Sequence, residues 1–497
     1  MKMNMLFLIV IAASLAQTCS AKPPNIVFIV ADDLGWNDVS WHNPAMKTPN
    51  IESLARNGII LNQSYVQPMC SPSRSAWLSG YYPYHTGMQH TVIMAYAGYG
   101  LPLNITTLPQ KLKQAGYRTH IVGKWHQGFC NWRYTPTYRG FDSFLGYYIG
   151  AEDHYTHEVY DGRWNGLDFR FNEKPLRTFN GTYGNYIFTQ RARDIIKTHK
   201  QEEGPLFLYL PFQNVHDPLQ VPKQYEDLYP NIRNRPRRIF SGMVTILDEA
   251  IGNVTSALKE TGMYDDTIII FTTDNGGQVR NSGNNWPLRG SKTTLWEGGT
   301  RGVAFVHSPL LKKTGFVYDG MIHAADWFPS ILSIASVKTD DAIDGVDFWS
   351  NVINNKTSSR NSFVYNIDDI FKNGAIRDGN YKLIVGNPGH LNDWYPVPKL
   401  SNHQPGLPLC KDTEGECAEL PDEAIPRSWP FDKVKLFDLS KDPTEHYDLS
   451  KSNPTKVQEM LKTFQNHLKS LVPGNPNKRD PKANPAFFNN TWSPGWC

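Results

Sequence analysis

Five short apolar runs, continuous rather than alternating with polar residues, constrain the fold of this chain more than any other feature of its sequence. Such runs are typical of strands that are covered on both faces, because every side chain then meets an apolar layer. Helical stretches separate the runs, so we expect an α/β fold in which a large, mostly parallel sheet lies between helices. The runs occupy residues 25–30 (NIVFIV), 119–123 (THIVG), 206–210 (LFLYL), 267–273 (TIIIFTT) and 303–308 (VAFVHS).

The helices between these runs carry start and stop signals. One is predicted to begin at Pro49 and to end at Gly58, and a second covers about 108–115 and stops at the glycine that follows. Proline at a first helical position and glycine just beyond a last one are the usual asymmetry of helix ends. Both helices are therefore expected to pack on the sheet.

The amino-acid composition of the chain changes after about residue 345, where Asn, Ser, Pro and Gly become frequent. We predict a larger domain over 22–345 and a smaller α+β domain over 346–497 that holds an antiparallel sheet, with an irregular loop at about 388–430. The strand candidates of the smaller domain are residues 361–367, 374–386 and 433–439. The apolar face of its single amphipathic helix, which ends before Pro473, consists of Val457, Met460, Leu461, Phe464 and Leu468.

The first 21 residues have the form of a secretory signal peptide: a lysine, an apolar run and then small residues up to Ala21. The apolar run of about 12 residues is shorter than the roughly 20 that span a bilayer, so no membrane anchor is predicted. The chain has no KDEL-type ending, and we expect a protein that is secreted or delivered to the lysosome.

The 50 basic and 47 acidic residues nearly balance, so neither nucleic acid nor an anionic membrane is an expected partner. Six N-x-Ser/Thr sequons fit the secretory route as candidate glycosylation sites. The first of them is expected to be the least accessible because it lies close to Cys70. The sequon residues are Asn62, Asn104, Asn180, Asn253, Asn355 and Asn489.

Five cysteines remain once the predicted signal peptide is removed. In an oxidising compartment an odd number leaves one cysteine unpaired. Cys410 and Cys417 are close enough in sequence for a short disulfide loop, which would leave Cys130 to pair with Cys497. Cys70 would then be the unpaired cysteine.

Two of the predicted strands run into adjacent side chains that carry oxygen. One is followed by Asp32 and Asp33, and another by Asp274 and Asn275. Because the carboxyl ends of parallel strands gather at one edge of a sheet, these four side chains can meet. Three carboxylates and an amide oxygen make an all-oxygen set, which suits Ca²⁺ or Mg²⁺ rather than zinc. The alternative is that each pair caps a following helix.

The stretch around Cys70 has the form of a helix start. Pro72 is tolerated in a first turn, and Ser71 can cap it. The helix N-terminus would favour an anion, and Arg74 would lie on the same face as Cys70. A cysteine-dependent phosphatase loop is excluded, because it would need an arginine where this chain has Ala76. The alternative is a buried structural thiol.

Two sequence elements resemble those of the sulfatase family. Residues 70–80, CSPSRSAWLSG, carry a Cys-x-Pro-Ser-Arg element, and residues 116–126, GYRTHIVGKWH, carry the element Gly-Tyr-x-Thr…Gly-Lys-x-His. The resemblance covers nearly all of the chain after the signal peptide and is strongest to the arylsulfatase B, or N-acetylgalactosamine-4-sulfatase, branch. Other matching stretches are TPNIESLARNGI, RGFDSFLGYYIGAEDHY, VHDPLQVP and DNGG.

The resemblance implies an alkaline-phosphatase-like sandwich, with 22–345 as the catalytic domain, and hydrolysis of sulfate esters. In sulfatases this cysteine is oxidised to Cα-formylglycine by an enzyme of the endoplasmic reticulum that reads Cys-x-Pro-x-Arg. Cys70 is thus implied to be a precursor, and that enzyme is an implied partner. One hydroxyl of the hydrated aldehyde would attack sulfur, and the second would then expel sulfate as the aldehyde returns.

The resemblance also implies one Ca²⁺ per chain, which would fix the nucleophile and withdraw charge from the sulfate oxygens. A small sulfated molecule is the implied substrate. The implied metal ligands are Asp32, Asp33, Asp274, Asn275 and an oxygen of the modified Cys70.

The resemblance implies catalytic roles for five further side chains. Lys124 and Lys292 would neutralise the sulfate anion, and Arg74 would support the hydrate and the metal carboxylates. His126 would be the base of the release step, and His216 the acid that protonates the leaving oxygen.

The chain departs from the family pattern at a few positions. Ser79 replaces a usual threonine, Gln127 a usual leucine and Asp217 a usual glutamate, while residues 93–100 lack the cysteines of many relatives. These departures are expected at the rim of the pocket. They would bear on which group carries the sulfate.

Several functional hypotheses stay open from the sequence. Sulfated N-acetylgalactosamine and small aryl or plant-derived sulfates, glucosinolates included, are alternative substrates. A phosphoesterase of the alkaline phosphatase superfamily would use Ser or Thr and usually two zinc ions held by several His, whereas this chain offers Cys70. An inactive, sulfatase-like binding protein would lack ligands or lysines, and every expected position is filled. The sequence does not indicate an oligomeric state.

Overall fold

The structure is a computed structural model that describes residues 22–339, 342–396 and 426–497. The predicted signal peptide, the candidate pair Cys410 and Cys417, and most of the predicted irregular loop lie outside the described residues. No helix of the described residues is long and apolar enough to cross a membrane.

The strands and helices are numbered in chain order. The strands are β1 (Asn25–Ala31), β2 (Ile59–Leu61), β3 (Ser64–Tyr65), β4 (Arg118–Lys124), β5 (Ser143–Tyr147), β6 (Glu158–Tyr160), β7 (Asn165–Leu167), β8 (Arg170–Phe171), β9 (Lys174–Pro175), β10 (Leu206–Pro211), β11 (Thr267–Thr273), β12 (Arg301–Gly302), β13 (Ala304–His307), β14 (Phe316–Tyr318), β15 (Ile322–His323), β16 (Ser362–Asp368), β17 (Asn373–Asp378), β18 (Tyr381–Val385) and β19 (Val434–Asp438). The α-helices are α1 (Pro49–Arg56), α2 (Cys70–Ser79), α3 (Leu108–Gln114), α4 (Gly184–Thr198), α5 (Lys223–Glu226), α6 (Arg235–Glu260), α7 (Glu297–Thr300), α8 (Trp327–Ile334), α9 (Trp349–Ile353) and α10 (Pro454–Leu468).

A ten-stranded mixed sheet contains all five predicted strands, in the order β14-β2-β13-β11-β1-β10-β4-β5-β8-β9. The strands from β11 to β5 run parallel, which confirms the mostly parallel α/β sandwich. The run at 303–308 is the exception, because β13 pairs antiparallel with β11. The chain stays at the carboxyl edge of the sheet between these two strands and re-enters there, so β13 runs in the opposite direction.

Helices cover both faces of this sheet. One apolar cluster joins the sheet to α2, α3 and α8, and a second joins it to α1, α4 and α6. Successive side chains of β1 point alternately into the two clusters, so the strand needs an unbroken apolar run. Ile26, Phe28 and Val30 belong to the first cluster, and Val27, Ile29 and Ala31 to the second. The predicted helices α1 and α3 are confirmed within two residues.

A four-stranded antiparallel sheet, in the order β16-β17-β18-β19, follows in the carboxyl-terminal part of the chain. Helix α10 packs on it, and Val457, Met460, Leu461 and Phe464 are buried as the sequence predicts. The same apolar cluster includes Tyr65 and Trp296 of the preceding part, so the four-stranded sheet packs against segments that lie outside the ten-stranded sheet. The domain boundary at residue 345 stays a prediction.

The carboxyl-terminal tail, defined here as residues 473–497, runs back to the large sheet. A disulfide joins Cys130 to Cys497, as the cysteine count predicts, and Cys70 is the free, buried cysteine of the described residues. The tail therefore ends beside the loop that follows β4. That loop carries His126.

Candidate active site

The two acidic strand ends meet at the carboxyl edge of the large sheet. Strands β1 and β11 are parallel neighbours with Ala31 opposite Thr273, so the side chains that follow them converge. The backbone N–H of Asp33 donates to Asp274 Oδ1 at 3.3 Å, and Asn275 Nδ2 donates to Asp33 Oδ1 at 2.7 Å. No helix begins at either pair, so the helix-cap alternative is wrong.

Helix α2 carries Cys70 into this cluster from its first position. Met69 is the N-cap residue, and the predicted cap of Ser71 is wrong. The Ser71 hydroxyl instead accepts a hydrogen bond from the backbone N–H of Ile93 at 3.1 Å. Cys70 Sγ lies 3.6 Å from Asp32 Oδ1, and burial raises the pKa of its thiol well above the usual range. An unmodified Cys70 would therefore stay a neutral thiol.

Two lysines neutralise the aspartates of the first strand end. Lys124, the last residue of β4, places Nζ 2.6 Å from Asp32 Oδ2, and Lys292 places Nζ 2.9 Å from Asp33 Oδ1. Burial raises the pKa of both aspartates, but the lysines and His216 lower it more, and the net shift is below the usual range. Both carboxyl groups are therefore ionised.

Arg74, one turn into α2, binds the carboxylate of the second strand end. Its Nε and Nη2 donate to Asp274 Oδ2 at 3.1 and 2.7 Å, and Nη2 lies 3.6 Å from Asp32 Oδ2. The whole group is inaccessible to solvent. This geometry confirms that Arg74 shares the face of α2 that carries Cys70 toward the carboxylates.

His126 is held as a neutral base at the same edge. Its Nε2 lies 3.1 Å from the carbonyl oxygen of Ile93, and its buried Nδ1 has no hydrogen-bond partner. Burial, reinforced by Lys124, lowers the pKa of His126 well below its usual value. A Cβ at Gly150 would lie 3.0 Å from the imidazole ring, so the ring needs glycine there.

His216 lies between Lys292 and a carboxyl group. Its Nε2 is 3.0 Å from Lys292 Nζ and 3.7 Å from Asp33 Oδ2. Its Nδ1 is 2.8 Å from the Asp217 carbonyl oxygen and 3.1 Å from Asp217 Oδ1. An imidazole held at Nδ1 in this way presents Nε2 to the cavity as the atom that exchanges a proton.

A cluster of side chains at this edge could bind a metal ion. Ligand atoms of Asp32, Asp33, Cys70 and His216 all lie within 4.8 Å of one another. Asn275 Oδ1 is buried and has no hydrogen-bond partner, which is an acceptor position that a cation would satisfy. Carboxylate and amide oxygens dominate the set, and such oxygens fit a hard divalent ion.

Comparison with known proteins agrees with this geometry. The sulfatase family model matches residues 24–337, more than half of the chain. The chain belongs to the sulfatase family. Mouse arylsulfatase J is 42% identical over 501 residues, covering 96% of this chain and 81% of that protein, and mouse N-acetylgalactosamine-6-sulfatase is 30% identical, covering 99% and 94%. A crystal structure of Ps i-CgsB in complex with k-i-k-neocarrahexaose superposes with a TM-score of 0.76 at 25% identity, covering 94% of this chain and 97% of that one.

This sulfatase is therefore a sulfuric ester hydrolase with the fold that the sequence resemblance implies. Its named relatives include arylsulfatases and N-acetylgalactosamine-6-sulfatases. The assignment to an arylsulfatase B-like branch stays a prediction.

The sulfatase site opens into a cavity of about 270 Å³ that Cys70, His126, His216 and Lys292 line together. The sequence elements thus bring the predicted nucleophile, base, acid and one lysine to a single space. Lys124 does not line the cavity, and its ammonium contacts the carboxylate of Asp32.

Sequence reasoning missed a buried acid–base pair beside the cavity. Glu152 Oε1 lies 2.9 Å from His157 Nδ1, and Glu152 Oε2 has no hydrogen-bond partner. Burial raises the pKa of Glu152 to about 7. The available signal was the stretch 139–155, which matches the family but was given no role.

The predicted position of the departures at the pocket rim is only partly right. Gln127 is fully buried and donates to the Ser71 carbonyl at 2.9 Å, while Ser79 bonds its own helix. Neither lines the cavity, whereas Ile93 and Met94 do. Gln127 and Ser79 thus make buried hydrogen bonds to helix α2, and they help to hold that helix beside the strand ends.

The sequon residues differ in their surroundings. Asn104, Asn180, Asn355 and Asn489 are exposed, and Asn253 is half-buried. Asn62 is engaged on both sides, since its Nδ2 donates to Asp319 Oδ1 at 2.7 Å and its Oδ1 accepts from Arg301. We expect the fraction of molecules that carry a glycan to be lowest at Asn62, and glycosylation of all six sequons stays a prediction.

Proposed function

We propose that this sulfatase hydrolyses sulfate esters of small alcohols or phenols with a formylglycine formed from Cys70 and a bound Ca²⁺. The observation that carries the proposal is that Cys70 and Lys292 line one cavity and lie against the acidic strand ends, where Lys124 contacts Asp32 and Lys292 contacts Asp33. Substrate would be a sulfated sugar or a small aryl or plant-derived sulfate such as a glucosinolate.

The chemistry of the donor set supports Ca²⁺. Asp32, Asp33, Asp274 and Asn275 would hold the ion, and the unpartnered Asn275 Oδ1 supports its inclusion. These four proposed donors are all oxygens and suit Ca²⁺, while Mg²⁺ prefers to keep several waters. When bound, the ion would act as a Lewis acid toward the sulfate oxygens.

The position of residue 70 supports its conversion. A thiol kept neutral by burial is a poor nucleophile, whereas a hydrated aldehyde supplies one hydroxyl for attack and a second for release of sulfate. The start of helix α2 directs residue 70 toward Asp32. The formylglycine-generating enzyme of the secretory pathway is therefore a proposed partner during biosynthesis.

The cations of the site have separable tasks in this proposal. Lys292 lines the cavity and would meet a sulfate oxygen directly. Lys124 lies behind Asp32 and would hold that carboxylate and residue 70 in place. Arg74 fixes Asp274 through two hydrogen bonds. Fixed charges of this kind stabilise developing negative charge without reorganisation.

The histidines would move protons. His216 lines the cavity, and its Nε2 accepts a hydrogen bond from the Lys292 ammonium in this structure. With Lys292 bound to the sulfate instead, a protonated His216 would donate its Nε2 proton to the leaving oxygen. His126 is neutral and has a free ring nitrogen, so it is placed to accept a proton from residue 70. Both roles need the cavity to exclude bulk water.

We propose that the protein passes through the secretory pathway and is secreted or lysosomal. The signal-like first 21 residues, the exposed sequons and the disulfide between Cys130 and Cys497 support this route. A phosphoesterase of the same superfamily is disfavoured, because the strand-end ligands Asp32, Asp33, Asp274 and Asn275 include no histidine. An inactive binding protein is disfavoured, because both lysines and both histidines are in place.

The test is a mass spectrum of the peptide that contains residue 70, taken from secreted protein. We expect the mass of an aldehyde in place of the thiol, and turnover of an aryl sulfate by the same sample. Cys70→Ser and Cys70→Ala should be secreted and folded but should not turn over repeatedly. An intact thiol in fully active protein, or near-normal turnover by Cys70→Ala, would refute the proposal.

A further inference from the structure

Much of the wall of the active-site cavity is apolar. Above the catalytic floor, three loops and a strand contribute Val92, Ile93, Met94, Ile149, Val159 and Pro218. Several backbone polar groups of these loops are already used: Ile93 N–H bonds Ser71, Ile149 N–H bonds Asp168, and the Val92 carbonyl accepts from Asn477. The walls therefore offer a bound molecule mainly hydrocarbon contact.

The charged groups above the floor are acidic. Asp153 and Glu158 line the cavity together with Glu152, whose carboxyl group is paired with His157. Lys292 is the single Lys or Arg among the described residues that line it. Burial raises the pKa of Asp153, but hydrogen bonds from Thr156 and Gln220 lower it more, so this carboxyl group is ionised. Glu158 is exposed, and its Oε2 accepts from Asn165 Nδ2 at 2.7 Å.

Nearby cations do not offset these carboxylates. Arg479 of the tail is paired with Asp161 and stacks on Tyr96, and the ammonium of Lys292 is 2.9 Å from Asp33 Oδ1. A substrate that carries a second anionic group would thus place it near fixed negative charges, and no Lys or Arg other than Lys292 lines the cavity in the part of the chain that the structure describes. Repulsion of that kind acts strongly in a partly enclosed space.

The size of the cavity restricts the leaving group as well. At about 270 Å³ its volume is slightly below the roughly 300–1,000 Å³ that small-molecule sites span. A sulfate group and one ring system fill such a space. An oligosaccharide could place only its terminal unit inside.

From these observations we infer that the substrates carry a single sulfate ester on an uncharged, largely apolar leaving group of about one ring system, and that Asp153 and Glu158 reject leaving groups that bear another anion. The inference rests on the proposed function and specifies its substrate class. Glu158 is the specificity residue that can be changed safely, since Asp153 also holds its own loop through three hydrogen bonds.

The test compares two substrates that differ by one charge: 4-(sulfooxy)benzoate and its methyl ester. For the full-length secreted enzyme we expect kcat/KM to favour the ester by on the order of tenfold, and added salt to reduce that ratio. E158Q should reduce the ratio and E158K should reduce it further. Glu202→Gln, an exposed acid that does not line the cavity, is the matched control and should leave the ratio unchanged.

The outcomes separate this inference from the proposed function. Turnover of both substrates with equal efficiency, preference for the carboxylate, or an unchanged ratio in E158K would overturn the inference while leaving sulfate-ester hydrolysis standing. Failure of the enzyme to turn over either substrate or any other aryl sulfate would overturn the proposed function, and the inference with it.

Discussion

Asn275 shows at the scale of one residue how the strand ends are prepared for a cation. Its amide nitrogen donates to Asp33 Oδ1 at 2.7 Å and to the Gly276 carbonyl at 2.9 Å, while its buried oxygen has no partner. A buried acceptor without a partner costs about 1–3 kcal/mol. A bound divalent ion would remove that cost and would be stabilised in return.

Replacement of Asn275 by alanine should therefore weaken calcium binding. We expect the Ca²⁺ concentration for half-maximal activity to rise on the order of 10- to 100-fold in Asn275→Ala. Asn275→Asp, which keeps an oxygen at this position, should shift it less. Calcium titrations of activity and of thermal unfolding measure both effects, and an unchanged calcium requirement in Asn275→Ala would contradict the ligand assignment.

At the scale of elements, the carboxyl-terminal tail connects the two walls of the cavity. Asn477 Nδ2 donates to the Val92 carbonyl at 2.7 Å and to Thr91 Oγ1 at 2.9 Å on one wall. Trp492 Nε1 donates to the Val159 carbonyl at 3.1 Å on the other wall. The tail thus adds hydrogen bonds to the loop that contains Val92 and to strand β6, although none of its residues lines the cavity.

Loss of the Asn477 contacts should loosen the first wall without disturbing the floor. We expect Asn477→Ala to raise KM for an aryl sulfate about three- to tenfold, with a smaller change in kcat, because each lost hydrogen bond is worth roughly 1 kcal/mol. Asn484→Ala is the matched control, since its side chain bonds only Ala486 within the tail. Steady-state kinetics of the two variants measure both constants. An equal fall in kcat for Asn477→Ala and Asn484→Ala would argue against a positioning role of Asn477.

At the scale of the whole molecule, a buried charge network joins the four-stranded sheet to helix α7 and to β3, which belongs to a small three-stranded sheet in the order β12-β3-β15. Glu297 of α7 accepts hydrogen bonds from Tyr65 of β3 and Tyr365 of β16, and Lys382 of β18 lies 3.1 Å from it. Glu445 also contacts Lys382, at 2.8 Å. Two carboxylates thus share one ammonium, and burial raises the pKa of Glu445 to about 7, with Glu297 adding to the shift.

This raised pKa predicts a pH dependence with a definite sign. The folded protein holds a proton on Glu445 that the unfolded chain releases, so the stabilising contribution is complete below about pH 4.5 and is lost as pH rises through about 7. Residue 445 cannot titrate in Glu445→Gln. When pH is lowered from 8 to 5, the free energy of unfolding of wild type should therefore rise by on the order of 2–3 kcal/mol more than that of Glu445→Gln. Urea unfolding at the two pH values measures this difference.

The exposed acid of helix α10 provides the control for that measurement. Glu459 has 62% of its side-chain surface exposed, so Glu459→Gln should follow the wild-type pH profile. If the free energy of unfolding of Glu445→Gln depends on pH in the same way as that of wild type, Glu445 does not titrate in this range. The comparison between variants also cancels the contribution of buried histidines such as His154, whose pKa burial lowers to about 4.

Much of the large sheet could be predicted because local composition decides it. The predicted run at 267–273 coincides with β11. The bounds of β1, β4 and β10 differ from the predicted runs by one or two residues. The direction of β13 could not be predicted, since an apolar run looks the same whichever way it crosses a sheet. The Ser71 cap was wrong because its hydroxyl finds a distant backbone N–H in place of a local one.

By itself, the sequence determined the positions of the strands, the acidic residues that follow them and the helix that starts at Cys70, because these depend on neighbours within a few residues. Only the tertiary structure decided that Lys292 contacts His216, that Glu152 pairs beside the cavity, and that Asn477 holds one wall. Such contacts join segments that the sheet topology brings together, and no local pattern specifies which of them will meet.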